Sequence, residues 1–72
     1  MSDNLIACDV GGRITKAVDV GQRVEVGDPL LVVRTAGPEI TLDAPVSGRV
    51  MSMFFTRDDT LPETAVVAII ED

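Results

Sequence analysis

The feature that most restricts this 72-residue chain is that its two halves carry one pattern. Shifted by 36, Ile6 falls on Leu42, Val10 on Val46, Gly12 on Gly48, Arg13 on Arg49 and Ile14 on Val50. One extra residue in the second half then moves the shift to 37. Val18 falls on Phe55, Val24 on Leu61, Leu30 on Val67, Val32 on Ile69 and Val33 on Ile70. Glycines coincide as well as apolar residues, so the match is read as an internal repeat, with half-units at about 5–36 and 37–71 of one domain spanning 1–72. Neither half is long enough to bury an apolar face alone. Two stacked about a pseudo-twofold axis share one core. The predicted class is all-β: a flattened β-sandwich or barrel-sandwich hybrid.

Turn formers punctuate the chain: Gly11-Gly12, Gly21, Gly27-Asp28-Pro29, Gly37-Pro38, Pro45 with Gly48, and Pro62. The stretches between them are short and β-branched, which predicts strands at about 5–9, 13–18, 23–26, 30–35, 39–44, 49–55 and 65–71. Glu39-Ile40-Thr41-Leu42-Asp43 alternates cleanly, so Ile40 and Leu42 face a core and the polar residues face water. No window supports an amphipathic helix. The loop from Thr56 to Glu63 reads as polar and irregular. The midpoint, Thr35-Ala36-Gly37-Pro38, joins two strands that form an antiparallel hairpin, so its tip is expected to be tight and exposed.

Composition narrows the stabilising devices and the partners. With one cysteine and no histidine, neither a disulfide framework nor a histidine metal site can supplement a small core, so packing must hold the fold. Twelve acidic against six basic residues, a net charge of −6, disfavour nucleic acid and anionic membrane. Phe54 and Phe55 are the only aromatics, too few to stack on bases. The apolar runs at 30–33 and 65–70 are too short to span a bilayer. No signal peptide is visible, and the lone Cys8 fits a reducing compartment, so a cytoplasmic location is expected.

Four motifs stand in order: Gly12-Arg13-Ile14; Val20-Gly21-Gln22-Arg23-Val24; Gly27-Asp28-Pro29-Leu30-Leu31; and Ala44-Pro45-Val46-Ser47-Gly48-Arg49-Val50. Together they resemble the biotinyl/lipoyl carrier family, biotin carboxyl carrier proteins above all, over about residues 5–71. The resemblance implies a hammerhead-type sandwich whose central hairpin carries a lysine that is acylated by biotin or lipoate. In biotin carriers that lysine lies between two methionines. Here the attachment position falls on Gly37, flanked by Ala36 and Pro38, so no biotin or lipoate is expected. The only lysine, Lys16, lies on a predicted strand and is not expected to be an attachment site. In the second half, Asp58 and Thr64 replace the family turn glycines matched by Gly21 and Gly27.

Other candidate chemistry is sparse. Cys8 shares a strand face with Ile6 and Val10 and reads as a buried structural thiol; without histidine nothing pairs with it for nucleophilic work. Asp58-Asp59 reads as a solvated turn, and no metal-ligand set stands out. In the cluster Met51, Met53, Phe54, Phe55, alternation cannot bury all four. Met53 and Phe55 fit the core, and Met51 or Phe54 is left as a possible partner contact. The resulting expectation is a carrier-like module without a modifiable lysine. It would be no enzyme itself, but a binding or structural part of a carboxylase- or dehydrogenase-type assembly with protein partners. A biotin carboxyl carrier-type subunit of an acyl-CoA carboxylase system is the alternative. A scaffold like the lysine-less lipoyl-like domains of membrane-fusion adaptors is a third reading.

Overall fold

The computed structural model describes residues 2–72, and all regular structure in that range is β. Short runs of β-branched residues between turn formers leave no length for a helix. They give β1 (Asp3–Cys8), β2 (Gly12–Ala17), β3 (Arg23–Val24), β4 (Pro29–Arg34), β5 (Glu39–Asp43), β6 (Gly48–Met53), β7 (Thr60–Leu61) and β8 (Ala65–Glu71). Two antiparallel four-stranded sheets result, ordered β1-β8-β6-β3 and β5-β4-β2-β7. They stack as a sandwich and do not close into a barrel.

Counting four strands onward along the chain turns the first sheet order into the second. The correspondence holds residue by residue. The pairs Arg13↔Arg34, Ile14↔Val33, Lys16↔Val32 and Ala17↔Leu31 match Arg49↔Glu71, Val50↔Ile70, Ser52↔Ile69 and Met53↔Ala68. The register shift between Ile14 and Lys16 recurs between Val50 and Ser52, so each sheet carries its bulge at the same place. The turns match too. Gly21 N–H donates to the Val50 carbonyl (2.8 Å) as Asp58 N–H donates to that of Ile14 (2.8 Å). The extra residue of the second half lies just after Phe54. The N–H of Val18 donates to Leu30 and that of Phe54 to Val67, so in backbone terms Val18 corresponds to Phe54. The inserted Phe55 is the side chain that turns inward to pack on the core.

The core lies between the sheets. Ile14, Val24, Leu30, Leu31, Val33, Val50, Leu61, Val67 and Ile70 are fully buried, each stabilising the fold by roughly 1.5–3 kcal/mol relative to exposure. Two glycines let paired strands approach closely, one in each sheet. A Cβ on Gly12 would strike the carbonyl oxygen of Arg34, and one on Gly48 that of Glu71. The segment expected to be irregular holds β7, which pairs Leu61 with Gly12 and Thr60 with Arg13. It also holds a tight turn in which Asp58 adopts φ 77°, as Gly21 adopts 92°. Aspartate is among the few residues that tolerate this left-handed region. Two predicted strand ends move inward by two residues: β3 stops at Val24, where Glu25 begins a turn, and β6 stops at Met53.

Candidate functional site

The central bend connects β4 to β5, whose last paired residues are Arg34 and Glu39. Pro38 has no N–H and cannot extend the ladder. Thr35 ties the bend together instead: its Oγ1 accepts the Gly37 N–H (3.0 Å) and its hydroxyl donates to the Pro38 carbonyl (2.9 Å). Ala36, Gly37 and Pro38 are all exposed. A side chain at 37 would meet nothing nearer than Thr35 Oγ1, at 3.8 Å. The bend is thus an open turn, closed by two local hydrogen bonds, with room for a side chain at 37. Thr35 is the residue that sequence reasoning passed over; a threonine two positions before a glycine in a turn is the hydroxyl-turn signal that could have found it.

The other candidates do not gather at the bend. Lys16 stands opposite Val32 on the flat of its sheet, at the lip of a shallow apolar hollow of about 380 Å³ lined by Ala17, Val18, Pro29, Leu31 and Thr41. Cys8 is buried, its thiol near the Val10 carbonyl at 3.7 Å. Asp59 accepts the Thr56 N–H at 2.9 Å and Asp58 lies 3.6 Å from the exposed Arg13 guanidinium, so both build a turn. Among the described residues no group of three potential metal ligands comes together. Met51 and Phe54 are both exposed, at 45% and 54%, while Met53 and Phe55 pack on the core. At the chain ends, Ser2 N–H donates to Asp72 Oδ1 (2.7 Å), and chiefly this bond holds that carboxyl below its ordinary value. No helix among the described residues is long and apolar enough to cross a membrane.

A prosthetic group held by an amide needs a primary amine at an exposed turn. The bend offers exposure without an amine, and Lys16 offers an amine within a bonded strand. The residues present do not fit covalent biotin or lipoate.

A sandwich of two matched antiparallel sheets, with an exposed hairpin bend between the adjacent strands β4 and β5 of one sheet, is the architecture of a carrier domain. The chain matches the biotin/lipoyl family, described as biotin-requiring enzyme, over residues 4–70, and it belongs to that family. It is 40% identical over 62 residues to the dihydrolipoyllysine-residue acetyltransferase component of the pyruvate dehydrogenase complex of Corynebacterium glutamicum, covering 85% of this chain and 9% of that protein. Its fold superposes on part of the Kluyveromyces lactis urea carboxylase with a TM-score of 0.84 at 25% identity, covering 99% of this chain and 6% of that one. A single-chain, multi-domain long-chain acyl-CoA carboxylase gives a TM-score of 0.85 at 14% identity, over 97% and 7% of the respective chains, a likeness of fold alone. The chain therefore spans under a tenth of each of these proteins.

Proposed function

We propose that this chain is a biotin/lipoyl-family module that carries no prosthetic group and acts by binding, as a non-catalytic part of a carboxylase- or dehydrogenase-type assembly. The observation that carries this reading is Gly37. It sits at the centre of an ordered, solvent-facing bend with room for a side chain, yet has none. The chain matches the family over residues 4–70 and keeps a two-sheet fold, which supports a module that retains the architecture with Gly37 where the resemblance places the acylated lysine. The relatives with which it shares sequence belong to dehydrogenase and carboxylase systems, which makes proteins of those systems the expected partners.

The test is intact-mass spectrometry of protein made together with active biotin and lipoate ligases. The expected mass is that of the unmodified chain. A gain corresponding to biotinyl or lipoyl on Lys16 would overturn the proposal in favour of a working carrier, such as a biotin carboxyl carrier-type subunit.

A further inference from the structure

The outward face of the β1-β8-β6-β3 sheet differs in character from its counterpart. Leu5, Met51, Phe54 and Val66 are exposed on it at 66, 45, 54 and 39%, around a half-buried Ile69. The corresponding positions on the other sheet are Thr41 for Leu5 and Thr15 for Met51, with Val18, Pro29 and Val32 for Phe54, Val66 and Ile69, so the two faces differ chiefly at Leu5 and Met51. Since the two sheets share one layout, the fold itself does not require apolar side chains at Leu5 and Met51.

One border of this face carries a row of charge. Register places Asp3 opposite Glu71, Glu71 opposite Arg49, and Arg49 opposite Arg23. All four alternate with inward residues (Ile6, Ile70, Val50, Val24) and so point outward. Read across the strands, the signs are minus, minus, plus, plus. Such an antisymmetric row is its own complement under one operation. A half-turn about an axis running along the strands in the plane of contact lays β1 over the partner's β3 and β8 over the partner's β6. Asp3 then faces Arg23, and Glu71 faces Arg49, each twice. The same operation sets Val66 near Phe54, apolar on apolar, and Ile69 over Ser52, with Met51 beside it in the bulge.

We infer that this face binds a second copy of the chain, giving an isologous sheet-on-sheet dimer with strand directions nearly aligned. A standard interface takes ~800 Å² from each partner, about a fifth of the 4393 Å² surface of this domain. One broad face of a two-sheet sandwich can supply that. Arg23 already lies 3.4 Å from Glu25, but both side chains are about two-thirds exposed, so this weak pair can exchange for one across the interface.

Analytical ultracentrifugation of the whole chain, from micromolar to millimolar, tests the inference. The wild type is expected to pass from monomer to dimer, and M51S/F54S to stay monomeric. R49E and E71R each set like charges face to face twice, and each should weaken association about tenfold or more. Mixed one to one, R49E and E71R should dimerise with each other as well as the wild type does with itself, because the introduced acid at 49 meets the introduced base at 71 and Glu71 meets Arg49. Thermal melts of the separate variants confirm that each is folded. A wild type monomeric at millimolar concentration would overturn the inference and leave the face to a different protein. So would a dimer indifferent to both reversals, or a mixture no tighter than either variant alone.

Discussion

At the scale of single residues, Gly48 and Gly12 fix how closely neighbouring strands approach within each sheet. A methyl group at Gly48 would have to displace the Glu71 carbonyl and the Ile70 side chain. Overpacking of this kind costs about 1–3 kcal/mol, and Gly48→Ala is expected to lower the urea midpoint accordingly with an unchanged m-value. Asp58 makes a different demand. Its φ of 77° lies where a Cβ is disfavoured and a short polar side chain is tolerated. Asp58→Ala should therefore lose about 1 kcal/mol, whereas Asp58→Gly should stay within about 0.5 kcal/mol of the wild type, relief of the backbone offsetting the greater freedom of the unfolded chain. The Arg13 pair contributes little to either outcome, being exposed on both sides. The glycine pair was legible because Gly12 and Gly48 coincide in the shifted sequence. The conformation of Asp58 was not, since an aspartate beside another in a polar stretch reads equally well as any solvated loop.

At the scale of elements, the β4–β5 hairpin is specified locally. Its strands pair from Leu31↔Leu42 to Arg34↔Glu39, and Thr35 closes the bend from within. Changes at its tip should leave the fold alone. The triple variant A36M/G37K/P38M is expected to melt within a few degrees of the wild type. Made beside an active biotin ligase, it should gain the mass of one biotinyl group, while the wild type gains none. An unmodified triple variant would place the ligase's missing determinant elsewhere on the domain. Alternation and turn residues made the long strands readable, Glu39–Asp43 most plainly. β7 escaped because two paired residues leave no period to detect. What defines it is the burial of Leu61 under β2, a contact 49 residues away in sequence from Gly12. The exact place of the inserted residue escaped for a related reason: the side chains align Val18 with Phe55, and only the backbone bonds show that Phe54 holds Val18's place.

At the scale of the whole molecule, one thin core carries the stability. Ile14 and Val50 occupy matched places in it, and both are wholly buried. Ile14→Ala should cost about 2–5 kcal/mol, a large part of what so short a chain can hold. Calorimetry should find the transition lowered by more than 10 °C or abolished. Ile14→Val, losing a single methylene, should cost about 1 kcal/mol. The two-layer plan was legible because neither half could cover its own apolar side. The asymmetry between the two outer faces was not, because it depends on which of Leu5, Met51, Phe54 and Val66 come together once the strands are ordered β1-β8-β6-β3. The meeting of Ser2 with Asp72 has a topological consequence. With its extremities joined by paired bonds, the backbone is nearly a ring, and the 35–38 bend is where that ring could equally well be opened. A circular permutant cut between Ala36 and Gly37 and sealed by a short glycine linker from Asp72 to Ser2 would exchange the order of the two halves and still reach the same sandwich.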